Sequence, residues 1–162
     1  MVEGYTDVIS LFQIEINNVV SSSGTSLTND QIKLISRYTK NITILFDGDK
    51  AGIDASLRGM DLILENDMNV KIVSFPEGED PDSYSKKVGK DKFIEFVKLN
   101  ETNLINYKIN LLNTKYKEDP VKKSEMIFDI VRSISKIPNS IKRSVFLKEA
   151  SNLLDINEQA LI

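Results

Sequence analysis

The first 75 residues alternate short β-branched or apolar runs with longer amphipathic stretches, and this alternation constrains the fold more than any other feature. The predicted strands are Asn18–Ser21, Asn41–Phe46 and Asn69–Phe75. The predicted helices are Tyr5–Ile14, Asn29–Tyr38 and Ala51–Glu65, the second with a Thr28–Gln31 capping box. Strands that alternate with helices form βαβ units with parallel strands and right-handed crossovers. The amino-terminal part is therefore predicted to be an α/β domain, a parallel sheet flanked by helices.

The strand pattern ends near Glu101. From there on the apolar residues follow helical spacing, as in the stripe Ile127, Ile130, Val131 and Ile134. The predicted antiparallel helices are Leu104–Tyr116, Val121–Ile137 and Asn139–Leu154. We therefore divide the chain into an α/β domain at residues 1–100 and a small all-α helical bundle at residues 101–162.

The composition limits the chemistry. The chain contains no cysteine and no histidine, which excludes disulfides, ordinary zinc sites and His-dependent nucleophilic catalysis within it. No stretch approaches the roughly 20 apolar residues of a membrane span, and no signal peptide is recognisable. Residues 1–100 carry a net charge of −5 and residues 101–162 a net charge of +2. A net negative charge is expected of a domain that binds phosphates through metal cations. Scattered surface charge explains the imbalance equally well.

Acidic residues with nearby glycines stand where the strands Asn41–Phe46 and Asn69–Phe75 end, and where a further strand, leading up to residue 3, would give way to its helix. They are Glu3, Gly4 and Asp7; Asp47, Asp49 and Gly52; and Asp80 and Asp82. The carboxyl ends of parallel strands share one edge of the sheet, where α/β proteins bind ligands. Carboxylates that close repel each other unless a cation is bound, and Mg²⁺ prefers oxygen ligands. The sequence therefore predicts a magnesium site at this edge.

Each of these motifs also has an ordinary structural explanation. Asp47-Gly48-Asp49 alone is more often a turn, because Asp and Gly are favoured there. Asp80-Pro81-Asp82 alone is more often a turn or a helix start than a pair of ligands. The functional interpretation depends on the motifs occurring together, in order, at strand ends.

Together the motifs resemble the Toprim domain of bacterial replicative primases. The resemblance is carried by residues 3–7 (EGYTD), 23–28 (SGTSLT), 47–52 (DGDKAG) and 76–82, where Pro76 leads to Asp80-Pro81-Asp82. The wider Toprim superfamily, with its topoisomerases and recombination mediators, needs only a glutamate and a D-x-D motif. The longer motifs of this sequence, E-G-Y-x-D, G-T-x-L-T and D-G-D-x-A-G, indicate the primase branch. Residues 120–123 and 137–144 are more weakly similar to the end of the primase polymerase core.

The resemblance implies a role for each candidate residue. Glu3 would be a metal ligand or general base, Asp47 and Asp49 would hold Mg²⁺ (or Mn²⁺), and Asp80 and Asp82 would be additional or outer acids. The supporting residues would be Asp7, Gly4 and Gly52. Lys50 and Arg58 would lie near phosphate, although a solvated position at a helix start explains Lys50 equally well.

The implied activity is that of DNA primase, a DNA-directed RNA polymerase that makes short RNA primers for DNA replication. Two divalent ions about 4 Å apart suit such nucleotidyl transfer, which needs no protein nucleophile. The implied partners are a single-stranded DNA template, ribonucleoside triphosphates, the RNA–DNA hybrid product and a replicative helicase. No membrane partner is implied, and the expected location is the bacterial cytoplasm at the replication fork.

Primases also carry a zinc-binding domain, a basic half of the polymerase core and a helicase-binding domain, and we recognise none of them here. We therefore expect a chain truncated at both ends, inactive by itself, and bound to helicase only through a missing domain.

Two alternative functions stay open. Another Toprim enzyme, a nuclease or topoisomerase fragment, would share the acids, although the G-T-x-L-T segment disfavours a topoisomerase. A non-catalytic receiver-like or scaffold domain would need a lysine at the end of its last strand, whereas Lys71 lies near the beginning.

Overall fold

The computed structural model describes residues 1–24, 27–46, 53–115 and 119–161, except the side chains of residues 53–56, 58 and 115. The helices are α1 (Tyr5–Gln13), α2 (Asn29–Ser36), α3 (Ile53–Glu65), α4 (Pro81–Val88), α5 (Lys90–Asn100), α6 (Leu104–Lys115), α7 (Pro120–Ser135) and α8 (Ser140–Leu154), followed by a 3-10 turn at Glu158–Ala160. The strands are β1 (Asn41–Phe46), β2 (Asn69–Ser74) and β3 (Thr102–Asn103). No helix in these ranges is long and apolar enough to cross a bilayer.

The central pair of strands is parallel, as predicted. β1 and β2 run in register from Asn41 opposite Asn69 to Phe46 opposite Ser74, and α3 makes the crossover between them. No strand was predicted beyond about Glu101, and this is wrong for one short strand. β3 pairs antiparallel with β2 through Thr102 and Asn103. Two residues are too few to show the alternation by which a strand is recognised in a sequence.

The first two residues extend the sheet on the other side of β1. The Met1 ammonium donates to the Thr43 carbonyl (2.6 Å), and the Leu45 amide donates to the Met1 carbonyl (2.9 Å). This is the bonding pattern of a parallel pair. Val2 in turn forms a parallel bridge with Ser21. The predicted strand Asn18–Ser21 is reduced to that bridge, because its partner contributes only two residues. Glu3 thus follows a strand segment at the same edge where β1 and β2 end.

The helix starts follow from capping. Thr28 and Gln31 form the predicted capping box, in which each side chain accepts a hydrogen bond from the backbone amide of the other (3.3 and 3.0 Å). Asp119 caps α7 with Pro120 in its first turn, and Asn139 caps α8. Helices α4 and α5 occupy residues 81–100, for which no element was predicted.

Two apolar clusters lie on the two faces of the sheet. One face of β1 and β2 packs with α3, α6, α7 and α8, including Ile44, Ile72, Ile105 and Ile134. The other face packs with α1, α4 and α5 through Leu45, Val73, Leu11, Phe75 and Phe93. The first cluster is continuous from the sheet into the carboxyl-terminal helices. The division of the chain into two domains at residue 100 stays a prediction.

A buried ion network also crosses from the sheet layer to these helices. Lys108 on α6 is fully buried, and its Nζ lies 3.3 Å from Asp61 on α3 and 2.9 Å from Asp129 on α7. It also donates to the hydroxyl of Ser133 (2.6 Å). Lys136 approaches the second oxygen of Asp61 at 3.6 Å. Every charge in this network therefore has an opposite charge beside it.

Candidate metal centre

The starts of α1 and α4 bring three acidic residues together. Asp7 lies in the first turn of α1, and Asp80 and Asp82 lie at the start of α4. The two helices pack side by side, and the hydroxyl of buried Ser10 donates to the Asp82 carboxylate. The Asp7 carboxylate accepts a hydrogen bond from the backbone amide of Gly4 (3.0 Å), and the backbone amide of Asp82 is near enough to lower its pKa. We call Asp7, Asp80 and Asp82 the acidic edge.

The charges of the acidic edge are unevenly compensated. Burial raises the pKa of Asp7, the charges of Asp80 and Asp82 raise it further, and the two amides only partly offset this. The pKa of Asp82 is lowered, because Lys86 (2.8 Å) and Ser10 donate to its carboxylate. Asp7 has no ion pair among the described residues. A cation added at this edge would therefore be stabilised by carboxylates that now repel each other.

Gly4 has a steric reason to be glycine. A Cβ built at this position would lie 3.3 Å from the Asp7 carboxylate and 3.4 Å from the hydroxyl of Thr6. A side chain would press on the same carboxylate that accepts the Gly4 amide. The glycine thus lets Asp7 fold back over the turn that follows Glu3.

The structure places some of the predicted site residues and does not describe others. Glu3 is exposed at the sheet edge where β1 and β2 end. Asp47, Asp49, Lys50 and Gly52, and the side chain of Arg58, lie outside the described residues. Within the described residues no group of three or more acids is arranged to hold a metal ion. The complete metal site therefore stays a prediction.

Asp80 is a helix cap. Its carboxylate accepts from the Ser83 amide (2.6 Å), and Pro81 occupies the first turn of α4. The helix-start interpretation of Asp80-Pro81-Asp82 is thus confirmed, and the ligand role of these acids stays a prediction.

Two polar residues at this edge escaped the sequence analysis. Ser10 ties α1 to Asp82, and Lys86 neutralises the same carboxylate one turn along α4. The signals were present but weak: Ser10 is three residues after Asp7 on the same helical face, and Lys86 is four residues after Asp82.

Comparison with protein families supplies the class. Residues 1–85, more than half of the chain, match the Toprim-like family, and residues 107–159 match a family described as the DnaB-helicase binding domain of primase. The chain belongs to the Toprim-like family.

Similarity to individual proteins extends over the whole chain. The DNA primase of Clostridium acetobutylicum is 41% identical over 164 residues, which are 99% of this chain and 27% of that protein. A DNA primase domain from Pseudomonas aeruginosa has a TM-score of 0.84 at 30% identity, over 99% of this chain and 52% of that one. A DnaG primase catalytic domain bound to single-stranded DNA has a TM-score of 0.81 at 31% identity, over 98% and 52%.

These findings confirm the resemblance to primase and the fold class, a Toprim α/β fold followed by a helical part. The chain spans about a quarter of the length of the primase it matches and about half of the solved structures. The match to the helicase-binding family lies inside this chain, whereas helicase binding was expected only from a missing domain.

Proposed function

We propose that this chain is the metal-binding part of the catalytic core of a DNA primase, a nucleotidyltransferase that joins ribonucleotides on a DNA template. One observation carries the proposal. Three parallel segments, Met1–Val2, β1 and β2, end at one edge of the sheet, and acidic residues follow each of them in the sequence. This is the arrangement expected of a site that meets phosphates through divalent cations.

The donors at this edge fit Mg²⁺ or Mn²⁺. All of them are carboxylate oxygens, which are the ligands these ions prefer, and Asp7 has a raised pKa and no ion pair within the described part of the chain. We assign Glu3, Asp47, Asp49 and Asp80 as residues that would hold the metal. Asp82 is better suited to an outer position, because its carboxylate already accepts from Ser10 and Lys86. Such ions supply charge neutralisation on the triphosphate and activation of the attacking hydroxyl.

The remaining residues of the edge have positioning roles. Asp7 accepts from the Gly4 amide and so orients the turn that carries Glu3. Ser10 joins α1 to the start of α4 and so sets the distance between Asp7 and Asp80. Lys50 and Arg58 stay candidates for contact with phosphate.

The partners are proposals as well. They are a single-stranded DNA template, ribonucleoside triphosphates, the RNA–DNA hybrid and a replicative helicase. The family match at residues 107–159 supports helicase contact through the helical part, and a separate domain of a longer protein is the alternative. We place the activity in the cytoplasm at the replication fork. Residues 1–162 alone are expected not to synthesise primers, since relatives are about four times as long.

Substitution of the predicted ligands tests the proposal. In a full-length primase that contains this chain, Asp47→Ala or Asp49→Ala is expected to lower primer synthesis by about 100-fold or more. The matched control is Asp67→Ala, which removes an exposed acid from the turn before β2, at the opposite edge. Its synthesis is expected to be unchanged, and circular dichroism checks the fold of all three variants. Near-normal synthesis by Asp47→Ala would contradict the assignment, and metal-dependent strand nicking without synthesis would indicate another Toprim enzyme.

A further inference from the structure

A basic and aromatic surface lies at the sheet edge opposite the acidic edge. It consists of Lys33, Arg37, Tyr38 and Lys40, at the carboxyl end of α2 and the turn into β1, and we call it the amino-edge band. All four side chains are exposed, and the Tyr38 residue is 84% exposed. Among the described residues Tyr38 is the most exposed aromatic one, and basic residues stand on both sides of it in the sequence.

Among the described residues, no neighbouring acid neutralises the cations of the band. None of Lys33, Arg37 and Lys40 forms an ion pair with any residue that the structure describes. The lysines in the last turn of α4 and at the start of α5 behave differently: Lys86, Lys87 and Lys90 each pair with a carboxylate at 2.6 to 2.8 Å. The band is therefore available to an external anion in a way that those lysines are not.

The position of the band follows from backbone bonds at the amino ends of the strands. The Lys40 carbonyl accepts from the amide of Asn69, the first residue of β2 (2.7 Å). Lys142 on α8 reaches the carbonyl of Met68 (3.5 Å), so it extends the basic surface beyond β2, with Asp67 beside it at 3.7 Å. Strands of six residues separate this surface from the acidic edge by about 20 Å.

From these features we propose that the amino-edge band binds single-stranded nucleic acid, apart from the metal edge. Lys33 in the last turn of α2 and Arg37 at its carboxyl cap are four residues apart, a spacing that places both charges on one side for contact with a phosphate backbone. An exposed tyrosine ring beside them offers a stacking surface for an unpaired base. A duplex keeps its bases stacked inside and would leave Tyr38 without a partner. The proposal rests on the proposed function only in the choice of DNA as the polymer.

The test measures binding of a fluorescein-labelled 20-nucleotide oligo-dT to the 162-residue chain by fluorescence anisotropy, in EDTA. Arg37→Gln with Lys40→Gln is expected to lower the affinity about 10-fold and to reduce the slope of log affinity against log salt by about 1.4. Tyr38→Ala is expected to lower the affinity about 5-fold. The matched control is Lys92→Gln with Lys98→Gln, two exposed lysines of α5 with the same loss of charge. It should bind within about twofold of the unsubstituted chain, since neither lysine belongs to the band.

Four results would overturn the proposal: no measurable binding, equal losses in both double variants, an unchanged affinity in Tyr38→Ala, or equal competition by dextran sulfate. The last two would indicate a general polyanion contact. Cations at a helix carboxyl end also stabilise the helix dipole, so the melting temperature is measured in parallel. A lower melting temperature with unchanged binding would assign the band to stability alone. Because EDTA removes divalent metal, the result of this binding assay does not depend on the metal site that the Asp47→Ala variant tests.

Discussion

Two groups of carboxylates in this protein have opposite electrostatic designs. In the buried network, Asp61 and Asp129 surround the ammonium of Lys108, and Lys136 approaches Asp61 from the other side. At the acidic edge, Asp7 is also buried, but its neighbours are Asp80 and Asp82 and it has no ion pair among the described residues. The negative charges of the first group are balanced by lysines within it, whereas the negative charge of Asp7 at the acidic edge is not balanced by any described residue.

The difference indicates what each group is for. A balanced buried network holds α3, α6 and α7 together, because a charge left without its partner is costly in the interior. An unbalanced group of acids lowers stability unless a cation arrives, so it suits a binding site. The same residue type therefore serves structure in one place and is proposed to serve function in the other.

The largest expected effect is that of removing the buried ammonium. Lys108→Met is expected to lower the free energy of unfolding by about 3 kcal/mol, since it leaves Asp61 buried with Lys136, at 3.6 Å, as its remaining cation among the described side chains. Urea denaturation measures the loss. The matched control is Lys86→Met, which removes an exposed partner of Asp82 and is expected to cost less than about 1 kcal/mol.

A double variant separates charge from shape. Asp61→Asn combined with Lys108→Met removes both buried charges and is expected to recover most of the stability lost by Lys108→Met. If Lys108→Met were no more destabilising than Lys86→Met, the buried network would not hold the helices together.

A smaller effect is expected at the buried Met1 amino group, which has a carbonyl partner and no carboxylate partner among the described residues. Burial lowers the pKa of the Met1 amino group from 8.0 to about 6, so the native state binds fewer protons and stability rises from pH 6 to pH 8. Acetylation removes the charge and keeps an N–H for the Thr43 carbonyl. It should stabilise the 162-residue chain by about 1 kcal/mol at pH 7 and not at all above pH 8. A gain that is independent of pH would contradict this explanation.

The smallest effect is expected at Asp7. Its raised pKa means that its contribution to stability is fully present below the unfolded pKa and is lost as the pH rises through the folded pKa. Asp7→Asn should therefore raise the melting temperature at pH 7, by less than acetylation does, and the gain should disappear at acidic pH. Asp30→Asn, in the first turn of α2, removes an acid that favours the helix dipole and should be slightly destabilising. A loss of stability in Asp7→Asn at pH 7 would show that its hydrogen bonds outweigh the repulsion.

The sequence predicts the elements better than it predicts their contacts. The capping box at Thr28 and the runs rich in Val, Ile or Phe at β1 and β2 are local signals, and both are confirmed. The contact between Asp7 and Asp82 depends on α1 packing against α4, a helix whose pattern is too mixed to be recognised beforehand. Lys108 falls within the apolar spacing of α6, between Ile105 and Ile109, but its partners come from α3 and α7. No local pattern indicates them.

The central claim is that a divalent cation enters the acidic edge and not the balanced network. Backbone amide signals in ¹⁵N–¹H spectra test it during addition of Mn²⁺, whose unpaired electrons broaden nearby resonances. Binding should be weak, because these ions keep waters and expect phosphate ligands from substrate. We predict that the signals of Gly4, Asp7 and Asp82 broaden first and recover on addition of excess Mg²⁺, while those of Asp61 and Lys108 persist. Broadening that begins at Asp61 or Asp129, or that shows no preference along the chain, would contradict the account.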